Sequence, residues 1–408
     1  MLSTLRGNQI TPTSRWRAKS RILVLASTAD LNCPTEWGLV ADKIDPFVTA
    51  LFGEDYEVVP CLAPFQGTSP PPTYRGYKRS ERLLLRSAAL AAIKALLRSF
   101  SRDKEYPRDH SFRFLVWESF LEGLQPDLIM GIGLDHSLLR AGHASGRPCV
   151  EVQHGLLGRG TVSRYWPQST LRESDRPSLV LAWDEHYVNE LRAKCIDGVS
   201  AGPGTNYMSH GFLPLVSDGL GSLSSCQPEP QVPSAYSTRK VLVLGYWNHP
   251  ENPTSIPTQA LELLQRAAAS SIQLRFVLRI HPVIAASSAD VRRVRHLLQE
   301  QFPGAELHDP RQVGLFESLR TCHLVLSGPS ATVFEAAMLG LRTCIWGSYA
   351  EGDIPEELDK YVTKLSDNAE IALEQVLETL SLSAARPYQP ENSPVAAIRE
   401  RLEVLLSP

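Results

Sequence analysis

The chain has 408 residues, which at roughly 150 residues per domain makes two or three domains. With 43% hydrophobic residues, 21% charged residues and a formal net charge of -3, it has an ordinary globular composition. That excludes a disordered chain, a collagen-like repeat and a small disulfide scaffold, and the near-neutral balance argues against a general nucleic-acid binder.

Short apolar runs alternate with helical patterns through the first half. Runs 21–27, 127–132, 149–152 and 178–183 read as buried strands, with amphipathic segments near 36–51, 80–100, 111–123, 135–145 and 185–195. Near-continuous apolar strands separated by helices are the mark of a parallel sheet covered on both faces. Residues 215–238 are rich in Ser, Gly, Pro and Gln and lack periodicity, so they read as a linker. The pattern then restarts, with strands at 240–246, 273–280, 323–327 and 342–346. Helices are expected near 257–270, 288–301, 312–321, 331–339, 367–380 and 394–406.

The expected organisation is α/β, with two facing Rossmann-like doubly wound domains. The first spans 1–214, the second 239–390, and a terminal helix in 391–408 packs back on the first. Ligands in such sheets bind beyond the carboxyl ends of the strands, so chemistry is sought where each strand ends.

Seven cysteines (Cys33, Cys61, Cys149, Cys195, Cys226, Cys322 and Cys344) are scattered and form no C-x-x-C pair. They suggest neither a zinc site nor a thioredoxin-like motif, and a reducing compartment. The N-terminus is basic without a signal-length apolar stretch, and no run nears the ~20 apolar residues that span a bilayer. A cytoplasmic location is expected.

Four strand ends carry candidate chemistry. The run 276–284 delivers Arg279 and then His281-Pro282 to a strand terminus. There the imidazole could donate to a phosphate and Arg279 could help neutralise it; a histidine capping a carbonyl is the plainer alternative. At 323–340, a strand enters the turn Ser327-Gly328-Pro329-Ser330 and then a helix carrying Thr332 and Glu335, which Gly340 ends. A helix start with small hydroxyl residues suits a phosphate ester, and Glu335 one turn in could accept from ribose hydroxyls. The alternative is an ordinary capped helix in which Thr332 and Glu335 form a capping box.

In the first half, 149–160 leads from a strand through Glu151 to Gln153-His154-Gly155 and a Gly-rich loop bearing Arg159. His154 suits a general base for an acceptor hydroxyl, although it could merely pin the loop. At 131–136, Gly131-Ile-Gly133 precedes Asp135, a helix cap by its bland reading. The full G-x-G-x-x-G is lacking, which makes a dinucleotide site a poor reading. Asp135 and Glu151 are reserve carboxylates. Weaker signals are Asp184-Glu185-His186, a helix start, and Asn248-His249 after the first strand of the second half.

A strand ending in Arg-x-His-Pro, followed by a strand, a Ser-rich turn and Glu-Ala-Ala-x-x-Gly, resembles the donor-binding half of GT-B glycosyltransferases over about 240–350. The likeness is greatest to bacterial sialyltransferases, capsule Kdo transferases and CDP-glycerol glycerophosphotransferases. It implies that His281, Ser327, Ser330, Thr332 and Glu335 hold the phosphate and ribose of a cytidine nucleotide. The Ser-Gly-Pro-Ser order departs from the paired Ser or Ser-Thr of many relatives, leaving open which hydroxyl meets the phosphate. Gln153-His154-Gly155 resembles the Gln-His-Gly of capsule polysaccharide enzymes, which implies a catalytic histidine; some sialyltransferases use an acid as base instead.

The expected function is metal-independent transfer from a nucleotide-activated sugar, with a CMP-sugar such as Kdo or sialic acid favoured, to a glycan or lipid-linked acceptor. No cofactor and no nucleic-acid partner is expected, and no D-x-D motif is present. The rivals are a CDP-polyol-phosphate transferase, a UDP-sugar transferase, a sugar-nucleotide epimerase and a non-catalytic capsule protein. The basic, Leu/Ala-rich stretch 75–104 could rest on an anionic membrane surface, peripherally; a domain helix with a solvated basic face is the plainer reading.

Overall fold

A computed structural model of the chain describes residues 19–26, 31–35, 38–41, 48, 51–52, 55–62, 78–100, 111–153, 173–196, 206–209, 239–245, 258–269, 274–285, 287–302, 304–328, 330–346, 354, 356–382, 385–388 and 395–406. The expected linker 215–238 lies outside these residues.

All eight apolar runs form strands, and they make up the interior of two six-stranded parallel sheets. In the first half the strands are β1 (Arg21–Ala26), β4 (Glu57–Leu62), β5 (Leu128–Gly131), β6 (Cys149–Val152), β7 (Leu179–Ala182) and β8 (Asn206–Ser209). A small antiparallel pair, β2 (Leu31–Thr35) and β3 (Gly38–Ala41), stands apart from them. The sheet order is β4-β1-β5-β6-β7-β8. In the second half, β9 (Arg239–Leu244), β10 (Leu274–Arg279), β11 (Glu306–His308), β12 (Leu324–Ser327), β13 (Arg342–Ile345) and β14 (Val362–Lys364) follow. Their order is β11-β10-β9-β12-β13-β14, the 3-2-1-4-5-6 order of a Rossmann sheet.

The helices that matter for the site are few. In the first half they are α1 (Lys78–Phe100), α2 (Phe112–Leu124), α3 (His136–Ala144) and α4 (Glu185–Ile196). In the second they are α5 (Leu315–Arg320), α6 (Thr332–Met338) and α7 (Val395–Leu406). One expectation is overturned: part of the segment read as a helix at 36–51 is strand β3. A second is refined, since the helix expected from 331 starts at Thr332.

Inner strands are buried on both faces: β5, β6, β7 and β12 are buried at every position. At roughly 25 cal/mol per Å² of apolar surface removed from water, these strands dominate the stability of each sheet. Ile398 and Leu402 of α7 join Ile22, Val24, Leu128 and Val150 in one core of the first sheet. The Arg399 Nε donates to the Leu51 carbonyl at 2.8 Å, so the last helix belongs to the first half in space. The two halves share a further core, in which Val180, Trp183, Tyr187 and Leu191 pack with Val333, Phe334 and Ala337 of α6.

Gly340 lets α6 end abruptly. Its φ of 72° is the left-handed conformation of a helix C-cap, and the Leu341 N–H returns to the Ala336 carbonyl at 2.9 Å. A Cβ there would run into the Ala385 carbonyl. Among the described residues, no helix is long and apolar enough to cross a membrane. Cys149 and Cys344 are buried thiols, each pushed up to about 12 by burial, as inert core residues are.

Candidate functional site

A doubly wound sheet opens a crevice where its strand order reverses. In the second sheet that point lies between β9 and β12, and β12 delivers Ser327, Gly328 and Ser330 there. Ser327 and Thr332 are buried, whereas Ser330 is half-exposed. Ser330 Oγ accepts from the Thr332 N–H at 3.3 Å and lies at the same distance from Thr332 Oγ1. The turn is tight: the Val333 N–H reaches the Ser330 carbonyl at 3.2 Å and the Phe334 N–H the Ala331 carbonyl at 3.0 Å.

Glu335 is 5% exposed, and its Oε2 has no hydrogen-bond partner among the described residues. The capping-box alternative is therefore not realised, since α6 has no side-chain cap. A buried carboxylate oxygen without a donor is costly, and such a group in a native fold calls for a ligand or a function. Trp346, just after β13, presents the mirror case. Its backbone N–H donates to the Ser327 carbonyl at 3.1 Å, while its buried Nε1 has no acceptor among the described residues. Sequence reasoning missed Trp346, although an aromatic at a strand's carboxyl end is a visible signal.

His281 stands half-buried after β10, and its carbonyl accepts from the Ala285 N–H at 3.0 Å. Arg279 does not accompany it. Its guanidinium is 5% exposed, and its Nη1 donates to the Val313 carbonyl at 2.6 Å and to Ser318 Oγ at 3.1 Å. Ser318 Oγ also lies 2.9 Å from His308 Nδ1. Through these bonds Arg279 ties β10 to α5 and the segment leading into it.

In the first sheet the order reverses between β1 and β5, and Gly131-Ile-Gly133 lies there. A Cβ on Gly131 would stand 2.9 Å from the Leu25 carbonyl, so only glycine allows β5 this close to β1. Glu151 is buried on β6, and its carboxylate accepts from the Gly133 N–H at 2.6 Å and the Leu134 N–H at 2.9 Å. Asp135 caps α3 by accepting from the Leu138 N–H at 3.0 Å, and its other oxygen accepts from Trp117 Nε1 at 3.0 Å. Both reserve carboxylates are therefore loop-holding groups: each has its two oxygens committed to protein donors, and neither is placed as a free base.

Gln153 ties the ends of β6 and β7 together. Its Oε1 accepts from the Trp183 N–H at 2.8 Å and its carbonyl from Trp183 Nε1 at 3.2 Å. The Trp183 ring meets Phe334 edge-on at 4.9 Å between centroids, and Phe334 is the neighbour of Glu335. A continuous path of contacts thus runs from Glu335 through Phe334 and Trp183 to Gln153, next in sequence to His154. Trp183 was not singled out from the sequence. Asp184 caps α4, accepting from the Tyr187 N–H at 3.1 Å, as expected of an acid at a helix start. His154, Gly155, Arg159, Asn248 and His249 lie outside the described residues.

No protein-family model and no curated protein sequence matches the chain. Solved structures are similar over nearly its whole length. S. aureus MnaA, solved with UDP, gives a TM-score of 0.58 at 12% identity, covering 95% of this chain and 97% of that one. UDP-GlcNAc 2-epimerase from Neisseria meningitidis bound to UDP-GlcNAc gives 0.58 at 15% identity, covering 94% and 100%. The UDP-GlcNAc 2-epimerase of Methanocaldococcus jannaschii with UDP-GlcNAc and UDP gives 0.56 at 14% identity, covering 94% and 99%. At such identities the likeness is one of fold, and together with two six-stranded parallel sheets it identifies this chain as a two-domain GT-B fold.

Proposed function

We propose that the protein is a GT-B glycosyltransferase that moves a sugar from a nucleotide-activated donor to a cell-surface glycan or lipid-linked acceptor. The observation that carries this reading is the buried Glu335 oxygen, without a partner among the described residues, on the helix that follows the Ser327–Ser330 turn at the switch point of the second sheet. Ribose hydroxyls of a bound nucleotide supply the donors this carboxylate lacks. Ser330, the half-exposed hydroxyl of the turn, meets the phosphate together with His281.

In the forward step, His154 takes the proton of an acceptor hydroxyl, whose oxygen attacks the anomeric carbon of the donor sugar. The bond from that carbon to the phosphate oxygen breaks, and the nucleotide leaves as an anion stabilised by His281 and by Ser330. Asp135 and Glu151 take no part in proton transfer on this account. The resemblance of the motifs favours a CMP-linked sugar. A second reading, a UDP-sugar transferase or epimerase, draws support from the likeness in fold to proteins solved with UDP or UDP-GlcNAc.

The test is a thermal-shift screen of CMP, CDP, UDP and GDP, followed by transfer and epimerisation assays with the preferred sugar nucleotide. Stabilisation by CMP together with acceptor-dependent release of the nucleotide is the expected result. His281→Ala should weaken nucleotide binding and remove most transfer. His154→Ala should bind nucleotide normally and lose about a hundredfold or more in rate. A preference for UDP with acceptor-independent epimerisation supports the second reading, and nucleotide binding without turnover marks a non-catalytic protein.

A further inference from the structure

Helix α1 carries aliphatic side chains on two faces. Inward, Ser87 and Ala91 are buried, and Leu83, Leu84, Ala88 and Ala95 pack against a core of the first half. Four further large aliphatic side chains point the other way. Leu85 is 68% exposed, Leu90 52%, Ile93 54% and Leu96 58%, half of the eight large apolar side chains exposed among the described residues. At 3.6 residues per turn these four, with Arg82, Arg86 and Ala89, fall in a sector of about 140°. A helix whose outer face meets only water carries polar residues there. Scattered exposed leucines need no explanation, but a contiguous stripe of this kind marks a docking surface.

The charges on this face select its partner. Arg82 and Arg86 are exposed within the stripe, and none of the described exposed side chains of the helix is acidic. The neighbouring acids sit on α2, where Glu118 and Glu122 lie 3.5 Å and 3.0 Å from Lys94 at the flank of the stripe. Two copies of the chain meeting through this face would bring arginine against arginine, which disfavours self-association. Apolar side chains interleaved with arginines suit a surface with an apolar interior and anionic head groups. At 23 residues the helix is long, yet it is not apolar enough to cross a bilayer, so it lies in the interface plane.

We infer that the exposed face of α1 docks the protein on an anionic lipid surface. This contact is separate from the nucleotide site, and its test does not depend on which donor the protein uses.

The experiment is flotation of the full chain with vesicles of phosphatidylcholine alone or mixed with phosphatidylglycerol, at low and high salt. The wild-type protein should float with the mixed vesicles at low salt and largely dissociate at high salt or from phosphatidylcholine alone. The triple variant Leu85→Gln/Ile93→Gln/Leu96→Gln should lose about tenfold or more of this partitioning. Its melting temperature should stay unchanged or rise, and its nucleotide-induced thermal shift should be that of the wild type. Arg82→Gln/Arg86→Gln should lose about fivefold per arginine and flatten the salt dependence. Absence of wild-type binding to the mixed vesicles, or undiminished binding by the triple variant, overturns the inference. So does a dimer in light scattering that the triple variant dissociates, which would assign the face to a second copy.

Discussion

The two switch points of this molecule have the same architecture and treat their acids in opposite ways. At the first, Glu151 and Asp135 each have both oxygens bonded to protein donors, and the result is a rigid Gly131–Asp135 turn. At the second, Glu335 is as deeply buried, yet one oxygen is left without a donor among the described residues. Buried carboxylates are normally paired, so the first arrangement describes a wall, and the second is the one on which the proposed nucleotide site rests.

The largest effect is expected where the two regions meet. Trp183→Ala removes the ring against Phe334 and leaves Gln153 Oε1 with a displaced partner, and should cost about 3–5 kcal/mol of stability by chemical denaturation. Trp183→Phe keeps the ring but loses the Nε1 bond to the Gln153 carbonyl, and should cost only about 1 kcal/mol. Equal costs for the two would show that the indole hydrogen bond to the Gln153 carbonyl, not the packing against Phe334, carries the contribution of Trp183.

Next comes Glu151→Ala. As a loop-holding group its loss leaves the Gly133 and Leu134 N–H groups unsatisfied and should cost about 2–4 kcal/mol. Transfer measured per folded molecule should fall far less than in His154→Ala. A stable variant devoid of transfer would make Glu151 the base and break the contrast between the switch points.

How much of this was readable in advance follows from where each strand sits. The eight strands recognised from apolar runs are the inner strands of the two sheets, paired on both sides and buried on both faces. The four missed in those sheets, β4, β8, β11 and β14, are the four edges. An edge strand pairs once and needs no continuous apolar run, and β4 even carries Pro60, which an inner strand would reject. For the candidate site, the sequence places His281 and Ser330 just after strand ends, which the structure shows, but the partners of Arg279, Glu151 and Asp135 lie far away in sequence. Val313, Trp117 and the Gly133 N–H are brought to them only by the assembled fold.

A smaller effect concerns pH. Burial holds His308 and His323 below the ordinary histidine value of 6.5, and His323 Nδ1 accepts from the Lys240 N–H at 3.1 Å. The folded chain prefers both rings neutral, so their contribution to stability is complete above pH 6.5 and is lost as the pH falls below it. The melting temperature should drop on acidification from neutrality, and His308→Gln/His323→Gln should flatten that drop. An unchanged slope would mean that the carboxylates alone set the acid limb.

The central claim is that Glu335 is held for a nucleotide, and Glu335→Gln tests it most directly. Titration calorimetry of CMP and UDP into the wild type and this variant, with a melt of each unliganded protein, gives both halves of the answer. The account predicts nucleotide affinity weakened about tenfold or more, because a charged acceptor for ribose hydroxyls is lost. It predicts an unliganded melting temperature equal to or above the wild type, because a buried carboxylate oxygen without a donor among the described residues is replaced by an amide. Undiminished affinity for both nucleotides would contradict the account.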